Sequence, residues 1–310
     1  MEFSDDRSTA ALLLTNRLVP LDAKPLTARE FWQLTTTVDP SLLLHEPPER
    51  IAQLAAVGLD DAQRLRALLD AATAFSFERE RLHDGGVALM SAFDTAFPGR
   101  LRERLGNACP PFLLVAGPSG SLDQAGLGVV GSRQADDDAL AVARQAAELA
   151  AAAGWPVVSG LAAGVDQAAM TAALDAGGAV VGIPTEGILR VARQADVRRR
   201  VHAGELCLAS PYAPGAPFRA GGAMGRNKLI YALSQRTLVV AADDGRGGTW
   251  SGATEALDRG YSPIAVWTGR GAQAGNAALA RRGATPLDDI ARLLHLDIQA
   301  RHPPDQPSLF

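Results

Sequence analysis

Four short stretches of the chain place glycine beside charged or hydroxyl side chains. They are Gly131-Ser132-Arg133, Ser159-Gly160 with Gly164 and Asp166, Arg226-Asn227-Lys228, and Gly248-Thr249. Glycine lets a backbone approach an anion closely, and a helix N-terminus presents free N–H groups to it. Arginine adds a forked set of donors that matches phosphate oxygens. Phosphate or nucleic-acid recognition is the chemistry such a set supports. The glycines equally serve as closers of tight strand-to-helix turns, and Asn227 equally as a staple on loop backbone. Catalytic constellations are thin. The five histidines, His45, His83, His202, His295 and His302, share no motif, and no metalloprotease or nucleophile-elbow pattern occurs. Asp166 could act as a general base, but an aspartate at a helix start more often caps it. No catalytic residue, metal or cofactor is therefore expected.

The elements that position these residues follow from hydrophobic runs and turn signals. Leu127–Val130 is an apolar strand ending in Gly131, and Asp136, Asp137 and Asp138 offer N-cap chemistry for an Ala-rich helix that stops at Gly154. Pro156–Ser159 ends in Gly160 and leads through Gly164 into a second Ala-rich helix closed by Gly177-Gly178. Further strands are predicted at Val87–Met90, Phe112–Val115, Ala179–Ile183, Leu206–Ala209, Leu238–Ala241 and Pro263–Trp267. Strands alternating with helices at this spacing predict an α/β fold, a doubly wound and mainly parallel Rossmann-like sheet. Ligands of such sheets sit at the carboxyl ends of the strands. Residues 1–78 predict a small helical domain, with a capping box at Thr27–Glu30 and Pro47-Pro48 between two helices. The α/β domain is expected over 79–294 and a flexible tail over 295–310.

The spelling of these turns is specific. GSR after a hydrophobic strand, followed by SGLAxGxD, resembles the DNA-processing protein A family (DprA, also called Smf). Asp94-Thr95-Ala96-Phe97-Pro98, Leu101 and Pro110-Pro111-Phe112-Leu113 are similar to the family's lead-in. Ser210-Pro211-Tyr212, the run Gly225–Ser234, Gly248-Thr249 and Gly275-Asn276 follow in the family's order, so the likeness spans about residues 80–290. The chain is a divergent member, with Ala163 in place of the family's arginine and Met170 in place of its histidine. Many members end in a winged-helix-like domain, for which this chain leaves no room.

The resemblance implies a homodimer that binds single-stranded DNA and helps load a RecA-type recombinase. It places Arg133 and Arg226 in the DNA groove, with Gly131, Ser132, Ser159, Gly160, Gly164, Asn227, Lys228, Gly248 and Thr249 around them. Single-strand binders also offer stacking surfaces, and Tyr212, Phe218 and Tyr231 lie near these motifs or in the core. The competing pattern is Gly247–Glu255, which resembles the PGGxGTxxE loop of phosphoribohydrolases and implies a nucleotide sensor or hydrolase.

Composition narrows the setting. A net charge of −4 confines any nucleic-acid contact to a local basic surface. Arg190, Arg193 and Arg198-Arg199-Arg200 are expected on one helix, as a solvated face or as part of that surface. Two cysteines, neither in a CxxC pair, speak against a disulfide framework or structural zinc. No apolar run is long enough to span a membrane, and the acidic start does not suit a signal peptide, so a cytoplasmic location is expected. The terminal Gln306-Pro307-Ser308-Leu309-Phe310 resembles the short motif by which bacterial proteins bind the polymerase sliding clamp. In it Gln306 and Ser308 would orient the peptide, and Leu309 and Phe310 would fill an apolar pocket.

Overall fold

The computed structural model describes residues 5–217 and 220–296, without side chains at 220–224. Five helices come first: α1 (Asp6–Leu14), α2 (Ala28–Thr35), α3 (Pro48–Ala55), α4 (Leu59–Leu69) and α5 (Ala72–Asp84). The Thr27 capping box forms in both directions, and Pro48 opens α3 where no N–H is required. The expected boundary at 78 falls inside α5, because the apolar positions Phe75 and Leu82 carry that helix on to Asp84. These helices share a continuous apolar core with the sheet that follows. Trp32 joins the two by donating its indole N–H to the Cys109 carbonyl at 2.6 Å.

The sheet has nine strands: β1 (Ala88–Ser91), β2 (Phe112–Ala116), β3 (Leu127–Val130), β4 (Val157–Ser159), β5 (Val180–Gly182), β6 (Leu206–Ser210), β7 (Arg236–Val239), β8 (Ile264–Trp267) and β9 (Thr285–Leu287). Their order is β1-β2-β6-β5-β4-β3-β7-β8-β9. From β6 through β9 all neighbours are parallel, and β1 and β2 add an antiparallel margin. The helices between strands are α6 (Gly99–Leu105), α7 (Asp137–Ala152), α8 (Val165–Asp175), α9 (Ile188–Ala192), α10 (Ala195–His202), α11 (Ala220–Leu233), α12 (Gly247–Arg259) and α13 (Ala274–Arg282). The chain leaves β3 toward β4, β5 and β6, then returns to build β7 on the other flank of β3. The strand order therefore reverses at β3, which makes the crevice between β3 and β7 the topological switch point.

Local chemistry explains most of these elements. Asp136 caps α7 by accepting the Ala139 N–H at 2.8 Å, and Gly154 follows its end with φ +71°. The buried face of α7 is largely alanine, and α8 adds Ala169, Ala172 and Ala173, which lets these helices pack closely. Three expectations are corrected. The arginine-rich segment is two helices, α9 and α10, because the chain turns extended at Gln194. Strand β7 ends at Val239 rather than Ala241. Val240 still donates to Val130, but the Ala242 N–H goes to the Asn276 side chain at 2.8 Å. The strand β9 had no counterpart among the predicted elements: it is three residues long, with Pro286 tolerated at a sheet edge.

Candidate nucleic-acid interface

The glycine turns after β3 and β4 are interlocked. A Cβ at Gly131 would lie 2.6 Å from the Val165 side chain, and one at Gly164 would strike the Ser132 carbonyl. Gly164 has φ +80°, a conformation L side chains rarely adopt. Across the same junction Val165 donates its N–H to the Ser132 carbonyl at 3.3 Å. Ser132 in turn donates to the Ala241 carbonyl at 2.9 Å, which adds the segment just past β7 to the same floor. Asn276 holds the far side: its buried amide accepts from Ala242 and donates to the Val240 and Trp267 carbonyls, all at 2.8 Å. Strand ends that would otherwise be loose are thus laced into one rigid surface.

Above that floor lies a half-enclosed cavity of about 580 Å³ at the switch point. Gly131, Ser132 and Arg133 line it from the first turn, and Asp243, Arg246, Gly248 and Thr249 from the segment after β7. Helix α12 aims its N-terminus here, and no side chain caps it. Its first N–H groups and dipole therefore favour a negative ligand. Arg133 is exposed at the mouth, and Arg246 is 80% exposed and only loosely paired with Asp243 at 3.6 Å.

The base of the cavity is built differently. Asp166, Arg226 and Tyr231 line it and are almost wholly buried. Arg226 Nη1 stands 3.9 Å from the Asp166 carboxylate, which also accepts the Gly160 N–H at 3.1 Å. Burial pushes the Asp166 carboxyl up to about 6 against the opposing pull of Arg226 and of its hydrogen bonds. Burial also lowers the Arg226 guanidinium below its ordinary value.

Helix α11 delivers Arg226, Asn227 and Tyr231 to this base, and α6 fixes it from behind. Arg100 donates to the Leu233 carbonyl at 2.7 Å, and Arg104 donates to the carbonyls of Ala232, at 3.0 Å, and Ser234. These guanidinium groups satisfy carbonyls at the end of α11 that have no partner within the helix.

The structure sorts the sequence-predicted residues by where they stand relative to the cavity. Gly131, Ser132, Arg133, Arg226, Asn227, Gly248 and Thr249 share the cavity. Arg226 nevertheless departs from expectation, since it lies on a helix and is buried rather than standing at an open turn. Asn227 has both of its envisaged roles in reach: it lines the cavity and donates to the Gly248 carbonyl at 3.1 Å.

Ser159, Gly160 and Gly164 work from beneath. The Ser159 hydroxyl is fully buried and donates to the Val129 carbonyl at 2.7 Å, Gly160 makes room for Arg226, and Gly164 seats the second turn on the first. Lys228 is turned away and pairs with Glu255 at 2.9 Å. Tyr212 packs against α11 at Gly225, with its hydroxyl 2.9 Å from where a Cβ there would stand. Phe218 and the tail motif Gln306, Ser308, Leu309 and Phe310 lie outside the described residues. Gln134 and Asp243 were not anticipated; the one signal for them is their position just beyond β3 and β7.

The arginines of α9 and α10 are partly spent on local pairs, Arg190 with Glu186 and Arg200 with Glu205 and Asp175. Glu255, the acid of the competing pattern, lies seven residues along α12 from Gly248, about 10 Å up the helix axis. It is held there by Lys228 and by the Tyr261 hydroxyl at 3.4 Å. Among the described residues no group of three or more His, Cys, Asp or Glu could hold a metal ion, and no helix is long and apolar enough to cross a membrane.

Known proteins share this architecture. A family model described as DNA recombination-mediator protein A matches residues 88–296. The DNA processing protein DprA of Bacillus subtilis is 28% identical over 160 residues, which is 51% of this chain and 54% of that protein. The chain thus spans about half the length of that relative. The structure of DNA processing protein A from Streptococcus pneumoniae superposes with a TM-score of 0.74 at 20% identity, covering 96% of this chain and 99% of that one. A structure of the Helicobacter pylori protein, described for its single-stranded DNA binding mode, gives a TM-score of 0.55 at 21% identity over 67% of this chain and 94% of that one.

Proposed function

Because the chain belongs to the DNA recombination-mediator protein A family, we propose that it binds single-stranded DNA across the carboxyl edge of its sheet. One observation carries this reading. Two exposed arginines, Arg133 and Arg246, and the uncapped N-terminus of α12 converge on one cavity at the switch point, in a chain of net negative charge. Such a surface meets phosphates through charge and backbone N–H groups, with no need of base identity. The Helicobacter pylori relative, studied for its single-stranded DNA binding mode, supports the same polarity of function.

The binding is non-catalytic in this reading. Glu255 is far from the α12 N-terminus and engaged by Lys228, which argues against a hydrolase built on the Gly247–Glu255 segment. By family, the bound strand would pass to a RecA-type recombinase, the protein would act as a homodimer, and it would work in the cytoplasm. The tail Gln306–Phe310 would tether it to the sliding clamp. Titration of labelled single- and double-stranded oligonucleotides at two salt concentrations tests the core of the proposal. Preference for the single strand, with log K falling by about 0.7 per phosphate contact per log unit of salt, is the expected result. A salt-independent interaction, or none, would refute it.

A further inference from the structure

The base of the cavity carries two polar atoms with nothing to bond. The Tyr231 hydroxyl and Arg226 Nε are buried and have no hydrogen-bond partner, although both side chains line the cavity. Tyr231 is 1% exposed and Arg226 4%. Unbonded polar atoms at such depth are rare in folded proteins, and each calls for a group that completes it. The same cavity receives the uncapped N-terminus of α12, a helix of 13 residues. A set of donors at the wall and unsatisfied groups beneath it suits a ligand that enters end-on.

A phosphodiester within a strand has two of its oxygens esterified and continues in both directions, so it crosses the mouth of such a cavity. A phosphomonoester has three free acceptor oxygens, up to two charges and a single attachment. The acidic and basic side chains that face it are Arg133, Arg226, Arg246, Asp166 and Asp243, three positive and two negative. Arg246, 80% exposed and 3.6 Å from Asp243, has room to turn toward the incoming dianion, whereas Arg226 stays beside Asp166 and offers its unbonded Nε in place. A volume of about 580 Å³ lies within the range of small-ligand sites. We infer that this cavity is a receptor for a nucleotide phosphomonoester, supplied either by the phosphorylated end of a DNA strand or by a free mononucleotide. The inference rests on the strand-binding proposal for its location, since both use the same surface.

The full-length protein would be titrated, by fluorescence anisotropy, with internally labelled oligothymidylates ending in a 5′-phosphate, a 3′-phosphate or hydroxyls only, and with circular single strands. Thymidine monophosphate and thymidine would serve as competitors. One phosphorylated end is expected to bind about tenfold tighter than hydroxyl ends, the strength of charge-assisted contacts, and Tyr231→Phe is expected to shrink that ratio. Displacement by thymidine monophosphate but not thymidine, without any preference among strand ends, would assign the site to the free nucleotide. Equal affinity for all ends and circles, with thymidine monophosphate inert, would overturn the monoester receptor while leaving strand binding intact. Thymidine monophosphate binding with no strand binding would support the receptor and sink the strand proposal. Binding of neither would sink both.

Discussion

The guanidinium of Arg226 fills the space that a side chain at position 160 would need. A Cβ built on Gly160 would collide with Arg226 Nη1, and the Gly160 N–H is donated to the same carboxylate, Asp166, that Arg226 faces. One peptide unit of the second turn therefore seats both members of a buried ion pair. The glycine is required by its neighbour, because its own backbone needs no left-handed conformation.

Gly160→Ala is accordingly expected to displace Arg226. Overpacking of this kind costs about 1–3 kcal/mol, and the displaced guanidinium also weakens single-strand binding. Thermal unfolding and anisotropy on the same preparation check both. Wild-type stability and affinity in the variant would show that the pair is not held this way.

The rim and the base separate cleanly by mutation. Arg133→Ala with Arg246→Ala is expected to leave the fold intact, lower single-strand affinity and flatten the salt slope by about 0.7 per lost phosphate contact. Arg226→Ala instead leaves Asp166 without its partner in the interior and is expected to cost about 3–5 kcal/mol of stability. Chemical denaturation paired with salt titrations distinguishes the two effects. A rim variant with an unchanged slope would place the strand elsewhere.

Asp166 makes stability depend on pH in a definite direction. Burial raises its carboxyl from 3.8 to about 6 in the folded protein. Below 3.8 both states hold the proton and the contribution is complete. As pH climbs toward 6 the unfolded chain ionises first, so stability falls by about 3 kcal/mol and then levels off. Asp166→Asn should lack this slope between pH 4 and 6 while retaining the rest of the wild-type profile. Parallel slopes in the two proteins would show that Asp166 titrates as an ordinary surface carboxylate.

Glu255→Gln discriminates binding module from hydrolase. Loss of one half-buried ion pair with Lys228 is expected to change oligonucleotide affinity less than twofold. Neither the wild type nor the variant is expected to release base from a nucleoside monophosphate. Turnover in the wild type that disappears in the variant would establish the enzyme.

Deleting residues 306–310, or changing Leu309 and Phe310 to Ala, is expected to abolish capture by an immobilised sliding clamp without altering oligonucleotide affinity. A tail peptide that fails to bind the clamp by calorimetry would remove the tether.

Much of the frame was legible because turn chemistry is local. A cap among Asp136–Asp138, Gly154 as terminator and the strand Leu127–Val130 follow from neighbouring residues alone; the cap proves to be Asp136, and the other two are found where expected. Of the cavity lining, Gly131, Arg133 and Gly248 could be picked out by the same turn signals. What escaped depends on contacts between segments distant in sequence. The burial of Arg226 depends on Asp166, sixty residues away, and Lys228 is claimed by a glutamate on another helix. The end of β7 is decided by Asn276. No pattern within either segment encodes such a pairing.

The grip of Arg100 and Arg104 on the tail end of α11 has a bearing on how far this sheet can be transplanted. Arg100 reaches a carbonyl 133 residues further along the chain, at the base of the helix that presents Arg226, Asn227 and Tyr231. The position of the cavity base therefore depends on the segment that precedes the parallel sheet. Grafting the strand–turn–helix core onto a foreign leader would release α11 from its rear anchor, and ligand preference would drift before the fold itself failed.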